Sequence, residues 1–305
     1  MRRNFLVVLF TLIRAIWAGP DLADSKRELV SSGVPFDPVD YPFVVGLRIK
    51  TSLLSTSICT GTLVTSTFVL TAAHCTHRRA PSSIKVNGRR GRQTQVHQGS
   101  PSSSLNSFRA VRTIYHHTRY NPRTMEADIS VLQIVGPFKD VHRFVTLSGH
   151  PGDFDNDTEL RCDVLGFGAT ENGEAGSLGY RGKAWVTYGP NACMASEGHN
   201  IPLTWPEYLC SKPDVQMICP GDSGGPLLCR GFQFGIASHG YDYTNLDGPV
   251  ECGNPNVQTR HLFVYPYREW IQTIIASGWP CHSAFVLPKA IALYVAGLVL
   301  RLLQT

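Results

Sequence analysis

Apolar residues recur along this chain in short runs, which clusters of glycine, proline and asparagine separate. Several runs alternate with polar residues or are continuously apolar, as β-strands are. One late stretch, 267–276, instead has the helical spacing of apolar residues. Many short strands and one late helix predict closed all-β units rather than an α/β sheet. The predicted strands are 43–49, 62–70, 129–135, 160–167, 184–188, 226–229 and 232–238.

Composition narrows the class of protein. The 305 residues are 43% hydrophobic and 17% charged, which excludes an intrinsically disordered chain. The formal net charge is +5, but the basic residues are scattered and form no stripe with interleaved aromatic residues, so we expect no nucleic-acid partner. The nine cysteines contain no CxxC pair, which excludes zinc-ribbon and thioredoxin sites. Eight paired cysteines and one left over are typical of an extracellular protein.

The N-terminal segment, 1–18, predicts a secretory signal peptide. A short basic head precedes an apolar stretch, and the small residues Ala18 and Gly19 follow it. This order is typical of a leader that is cut near Ala18. The alternative is an uncut signal anchor. It is disfavoured because the apolar stretch is short for a membrane span and contains Arg14.

The C-terminal segment, 277–305, contains a second apolar run at 290–300. This run is short for a bilayer crossing of roughly 20 residues. We expect the segment to lie outside the folded domain and to attach the protein to a membrane. Two mechanisms stay open: a lipid anchor whose signal tail is removed, and a short span or interfacial helix flanked by Lys289 and Arg301. A third interpretation is an apolar helix folded onto the domain surface.

Three segments of the sequence carry chemistry. They are Thr-Ala-Ala-His-Cys at 71–75, Asp-Ile-Ser-Val-Leu at 128–132 and Cys-Pro-Gly-Asp-Ser-Gly-Gly-Pro-Leu at 219–227. Alone, each could be a strand end or a polar loop. Together and in this order, they resemble the catalytic segments of the chymotrypsin-like serine proteases, which have the trypsin fold. The resemblance implies an all-β protease domain at 30–276, with two antiparallel six-stranded β-barrels and a C-terminal α-helix.

The resemblance implies a catalytic triad of His74, Asp128 and Ser223. A serine hydroxyl needs an adjacent base, which His74 would supply. A buried Asp128 would fix the tautomer of the imidazole and stabilise its protonated form. The N–H groups of Gly221 and Ser223 would form the oxyanion hole. The implied reaction is peptide-bond hydrolysis through an acyl-enzyme, for which neither a metal nor an organic cofactor is needed.

The resemblance also implies four disulfide bonds and leaves Cys281 without a partner. The sequence alone does not determine how eight cysteines pair. The implied pairs are Cys59–Cys75, Cys162–Cys229, Cys193–Cys210 and Cys219–Cys252.

Four positions are expected to shape the substrate pocket. Met217 stands six residues before the serine nucleophile, where trypsin-like members carry an aspartate. An apolar floor would not hold a buried Arg or Lys charge, because desolvating that charge is costly. Ser238 and Gly240 would form one wall, with His239 between them where a tryptophan is usual, and Asn256 the far wall. We therefore expect cleavage after apolar residues such as Leu, Met or Phe.

The start of the predicted protease domain departs from the family pattern. Members begin, after activation, with an Ile-Val-Gly-Gly-like sequence, and the matching start here is Val30, which follows Leu29 rather than Arg or Lys. We expect a zymogen with a propeptide at 19–29, in which the freed amine of Val30 pairs with Asp222. Separately, Asn156 begins an Asn-Asp-Thr sequon, which predicts a glycoprotein.

These observations predict a secreted, extracellular serine endopeptidase that acts on protein or peptide substrates. Protein inhibitors are a second expected class of partner, and a membrane-attached tail would hold the enzyme at the outer cell surface. The alternative from another class is a catalytically silent protease-like protein with a binding or regulatory role. The unusual N-terminus favours this alternative, whereas the presence of all three triad residues disfavours it.

Overall fold

The structure is a computed structural model of the whole chain. It falls into two compact units, residues 1–265 and 266–305, which are described separately. The predicted signal peptide, propeptide, Val30, Cys281 and apolar tail lie outside the residues described. The described ranges are 33–88, 107–169, 178–194, 205–245 and 248–278.

The first barrel is closed by six antiparallel strands. The chain enters it after a short strand, β1 (Val34–Pro35). The order of strands around the barrel is β2-β3-β4-β7-β6-β5. The strands are β2 (Val44–Lys50), β3 (Thr56–Leu63), β4 (Phe68–Thr71), β5 (Ile84–Gly88), β6 (Ser107–His116) and β7 (Ser130–Ile134).

The second barrel closes in the same way, because its first two strands pair with each other as well as with their other neighbours. Its strands are β8 (Leu160–Gly166), β9 (Tyr180–Thr187), β10 (Tyr208–Ser211), β11 (Pro226–Cys229), β12 (Phe232–Asp242) and β13 (Val257–Phe263). Strand β1 pairs with β9 outside this ring. The prediction of two six-stranded antiparallel barrels is confirmed.

Helices are few among the described residues. The helix α1 (Ala73–Thr76) is a single turn that follows β4. The helix α2 (Arg268–Ser277) belongs to the second unit and confirms the predicted C-terminal helix; its residues Ile271 and Ile274 are buried. No helix in the described ranges is both long and apolar enough to cross a membrane. Short 3-10 turns lie at Pro81–Ser83, Pro151–Asp157, Trp205–Glu207 and Tyr265–Tyr267.

The prediction of one strand at 62–70 is wrong, because this stretch is a hairpin. Leu63 pairs with Val69 across the β3–β4 ladder. Between them the hydroxyl of Thr65 accepts hydrogen bonds from the backbone N–H groups of Thr67 and Phe68, at 3.3 and 3.2 Å. Threonine hydroxyls can replace a ladder bond in this way and so stabilise a turn. Apolar residues on both sides of the turn made the sequence resemble one continuous strand.

One histidine lies in the apolar interior of the second barrel. His261 on β13 is fully buried and pairs in register with Leu209 on β10 and Ala237 on β12. Within the described part of the chain, neither ring nitrogen has a hydrogen-bond partner. Burial, with a smaller effect of the neighbouring His239, lowers the pKa of His261 to about 3. The ring is therefore neutral at physiological pH.

Replacing His261 with leucine is expected to raise the free energy of unfolding by about 1–3 kcal/mol at neutral pH, because an unpaired buried polar group is removed. The pKa of His261 is below its ordinary value of 6.5 in the folded protein, so the unfolded chain binds the extra proton. Wild-type stability should therefore fall as the pH drops from 6.5 towards 3, and the advantage of His261→Leu should grow.

Thermal unfolding at a series of pH values measures this difference. The matched control is His142→Leu, which removes an exposed histidine and should leave the pH dependence unchanged. Parallel curves for wild type and His261→Leu would contradict the prediction.

Candidate active site

His74 and Asp128 meet at one end of the first barrel. Strand β4 ends at Thr71 and α1 follows directly, which places His74 in its first turn. The ring Nδ1 of His74 lies 2.8 Å from Oδ2 of Asp128, and the backbone N–H of His74 donates to Oδ1 at 2.8 Å. The Asp128 side chain is fully buried, whereas about a quarter of the His74 side chain, 27%, is exposed. The aspartate thus fixes the orientation of the imidazole.

Ser238, from the second barrel, supplies the third hydrogen bond to Asp128. Its hydroxyl donates to Oδ2 at 2.6 Å. Strand β12 has a register shift between Ala237 and His239, and such a bulge re-aims the side chain at its centre. Burial by itself would raise the pKa of Asp128, but the hydrogen bonds and charge of His74 and the bond from Ser238 hold it below its ordinary value. The aspartate is therefore ionised at neutral pH.

A second histidine continues this hydrogen-bond chain. Nδ1 of His239 lies 2.9 Å from the Ser238 hydroxyl. Because that hydroxyl gives its one hydrogen to Asp128, Nδ1 of His239 must carry the hydrogen of this second bond. The His239 ring lies edge-on to Tyr208, with centroids 5.5 Å apart. Burial, and then the charge of Arg260, lower the pKa of His239 to about 4, so the ring is neutral.

Two neighbouring residues that the sequence analysis did not identify hold the loop before Asp128. The backbone at Met125 and Ala127 has positive φ, 60° and 48°. The Tyr208 hydroxyl donates to the Met125 carbonyl at 2.5 Å, and the Ala127 N–H donates to a Glu207 carboxylate oxygen at 2.9 Å. No local motif marks Glu207 or Tyr208, because their contacts join segments about eighty residues apart.

Thr60 joins the nucleophile loop to the first barrel. Its backbone N–H donates to the carbonyl of Ser223 at 2.8 Å, and its hydroxyl donates to the carbonyl of Gly221 at 2.9 Å. The same hydroxyl accepts from the N–H of Phe167 at 3.0 Å. At Gly224, with φ +85°, a β-carbon would stand 2.3 Å from the Thr60 carbonyl oxygen, so only glycine allows this approach.

The N–H groups of Gly221 and Ser223 are available as donors. Neither donates to another protein group among the described residues. Gly221 has φ +108°, and a β-carbon there would lie 2.7 Å from the backbone of Gly168. A glycine is required at this position, both by conformation and by space. Two free amides beside a serine can stabilise a developing oxyanion.

Asp222 is buried directly beside Ser223. Its carboxylate accepts hydrogen bonds from the N–H groups of Gly168 at 2.8 Å and Cys219 at 2.9 Å. Burial raises the pKa of Asp222 to about 6, although both hydrogen bonds oppose this shift. Val30, its expected partner, lies outside the described residues.

A cleft of about 420 Å³ opens between His74 and Ser223. Gly240 lines it, and a β-carbon on Gly240 would stand 3.5 Å from the terminal methyl group of Met217. Asn256 is not among the described residues that line this cleft; its N–H donates to Asn254 at 2.9 Å. The other lining residues are Met125, Ile218, Cys219, Pro220, Ser238, His239 and Val250.

Comparison with known sequences identifies the family to which this chain belongs. The family model described as Trypsin matches residues 30–271. The chain belongs to the trypsin family. It is 28% identical to the Factor V activator of Macrovipera lebetinus, over 84% of this chain and 91% of that protein. It is 29% identical to the chymase of Papio hamadryas, over 82% and 92% of the two chains. These relationships support a serine protease.

The disulfide bonds of this trypsin-family chain are the four that the resemblance implies. The Cys59–Cys75 bond ties α1, which carries His74, to strand β3. Cys59, Cys75 and His74 also form the one cluster of potential metal ligands in the described ranges. Because both sulfurs are in a disulfide, they offer no thiolate to a metal, so this cluster does not fit a metal centre.

Replacing Thr60 with valine tests how the trypsin-family nucleophile loop is held. Thr60→Val should lower the free energy of unfolding by about 1–3 kcal/mol, because the Gly221 carbonyl and the Phe167 N–H lose a buried partner. It should also slow labelling of Ser223 by an organophosphonate probe. Thr60→Ser keeps the hydroxyl and should behave like wild type in both measurements. Equal behaviour of the two variants would contradict this role for Thr60.

Proposed function

We propose that this trypsin-family chain is an extracellular serine endopeptidase with His74, Asp128 and Ser223 as its catalytic triad. The observation that carries the proposal is the buried Asp128 carboxylate, which is bonded to His74 in the cleft that Ser223 also lines. Because Nδ1–H of His74 donates to this carboxylate, Nε2 is the nitrogen left to accept a proton.

The proposed reaction has two halves. Nε2 of His74 takes the Ser223 proton while Oγ attacks the substrate carbonyl carbon. The N–H groups of Gly221 and Ser223 stabilise the negative oxygen of the tetrahedral intermediate. The protonated His74 then gives its proton to the leaving amine as the C–N bond breaks. A water molecule, activated by the same imidazole, hydrolyses the acyl-enzyme and restores Ser223.

Labelling with an organophosphonate serine probe tests the enzyme against the catalytically silent alternative. The processed wild type should be labelled and should cleave peptides, and Ser223→Ala should lose both properties. Ser57→Ala, which changes an exposed serine on β3, is the matched control and should keep both. A processed wild type that neither reacts with the probe nor cleaves peptides would favour the silent binding protein.

We further propose that the enzyme cleaves after uncharged apolar residues such as Leu, Met or Phe. Support comes from the side chains around Gly240: the methyl groups of Val250 and Val257 would stand 3.1 Å from a β-carbon there, and that of Met217 3.5 Å. Met217 is buried, at 3% exposure, and lies behind Gly240 rather than among the described residues that line the cleft. Such a wall gains free energy from apolar groups and gives a cation no partner.

A peptide-library profile of the processed enzyme should therefore be dominated by apolar residues before the cut. Met217→Asp should lower kcat/KM for these substrates by about tenfold to a hundredfold, because a buried carboxylate replaces apolar surface. Met194→Asp makes the same change at an exposed methionine and should leave the profile unchanged. A wild-type profile dominated by Arg or Lys would contradict this preference.

Activation is proposed to cut the Leu29–Val30 bond, after which the new amine pairs with Asp222. Support comes from the buried Asp222 carboxyl, whose pKa of about 6 reflects burial without an ion-pair partner among the described residues. A neighbouring ammonium would lower that pKa and stabilise the charged carboxylate. The predicted preference for Leu would allow the enzyme to activate itself.

Mass-spectrometric sequencing of the active form should find Val30 as its first residue. Leu29→Arg should transfer activation to an added trypsin-like protease, without changing the mature enzyme. An active species that begins at Gly19 or Glu28 would show that this assignment is wrong.

The proposed extracellular location agrees with four disulfide bonds, which persist in oxidising compartments. Asn156 is exposed, with φ 56°, and so would be accessible for glycosylation. Signal-peptide removal and membrane attachment by residues 277–305 stay predictions. Fractionation of expressing cells, with and without a phospholipase that cuts the lipid anchor, distinguishes the fates of the tail.

A further inference from the structure

The hairpin between β2 and β3 presents two leucines to water. Leu53 is 89% exposed and Leu54 is 100% exposed, more than any other large apolar residue in the described ranges. Consecutive leucines at the tip of a hairpin add nothing to the core of the first barrel. Such residues are typical of a surface that docks on an apolar phase.

Four backbone N–H groups of this tip donate hydrogen bonds within the tip itself. The N–H groups of Thr51 and Ser52 donate to the carbonyl of Ser55, at 3.0 and 3.3 Å. The N–H groups of Leu54 and Ser55 donate to the hydroxyl of Ser52, at 3.3 and 3.1 Å. Pairing these four amides within the turn lowers the free-energy cost of moving the tip out of water. The tip is therefore suited to enter the boundary region of a bilayer.

Cations surround the two leucines. Arg48, Lys50 and Lys85 are exposed and, with Phe108 and both leucines, line a shallow groove of about 400 Å³. No acidic residue is among its lining residues in the described part of the chain. None of the three cations forms an ion pair with a described residue. The remaining lining residues are Thr56, Ser82 and Ser83.

Two of these cations oppose each other in the sheet. Arg48 on β2 pairs directly with Lys85 on β5, and like charges in that position destabilise a ladder. An anionic surface against this face would remove the repulsion. The charge pattern therefore points to an anionic ligand, and the exposed leucines point to one with an apolar interior.

We propose that this face of the first barrel, formed by Leu53, Leu54, Phe108 and the three cations, docks on an anionic lipid surface. The leucines enter the boundary between headgroups and acyl chains, and the cations contact lipid phosphates and carboxylates. A soluble acidic peptide would match the charges, but it would not require a projecting tip with internally paired amides. The active-site cleft shares no lining residue with this face and stays accessible.

Tryptophan quenching by brominated lipid tests the docking directly at the tip. In full-length Leu54→Trp protein, vesicles of brominated phosphatidylcholine with phosphatidylserine should shift the added fluorescence to the blue and quench it. Vesicles without phosphatidylserine should do so much less. The matched control is Phe232→Trp, at the exposed first residue of β12. Equal quenching of both variants, or of neither, would overturn the proposal, as would a response to soluble polyglutamate but not to vesicles.

Charge reversal provides a second, independent test with the same local signal. Arg48→Glu, combined with Leu54→Trp, should raise at least tenfold the concentration of phosphatidylserine-containing vesicles needed for half-maximal quenching. It should not lower thermal stability, because it converts the repulsive pair with Lys85 into an attractive one. Arg161→Glu, an exposed arginine on β8, is the control and should leave quenching unchanged. Equal effects of the two reversals would contradict docking through this face.

Discussion

The buried carboxylate of Asp128 accepts hydrogen bonds from residues of both barrels. It is fully buried, and a buried charge without partners would cost several kcal/mol. Its donors come from both sides, since His74 belongs to the first barrel and Ser238 to the second. Separating the barrels would remove the Ser238 bond and leave the charge with its His74 bonds alone. The hydrogen bond from Ser238 therefore links the second barrel to the carboxylate that orients the imidazole.

The polar network does not end at His74 and Asp128. Through Ser238 it reaches His239, whose ring is kept neutral by burial and by the nearby Arg260. Arg260 itself lies over the ring of Tyr241, with its central carbon 4.5 Å from the ring centroid. The arginine thus opposes a second positive charge beside Asp128. The His239 ring therefore stays neutral beside the Asp128 carboxylate.

The sequence predicted those features that depend on residues close together in the chain. Short apolar runs predicted closed all-β units, the resemblance to the trypsin fold implied two six-stranded barrels, and three local motifs led to the proposal for His74, Asp128 and the Ser223 loop. Thr60, Glu207 and Tyr208 escaped prediction because their roles depend on contacts with distant segments. The hairpin at 62–70 was missed for a different reason: a threonine hydroxyl makes the turn, without glycine or proline.

The pairing of β1 with β9 limits how far a newly cut chain end could travel. Pro35 pairs with Tyr180, which pairs with Gly166 on its other side, so Pro35 lies about 10 Å from the strand that touches Asp222. An end created at Val30 is at most about 14 Å from Val34. If the proposed cut occurs, so short a tether would give the amine an effective concentration in the millimolar range beside Asp222. Dilution of the protein would then leave the switch unaffected, and only the cut would control it.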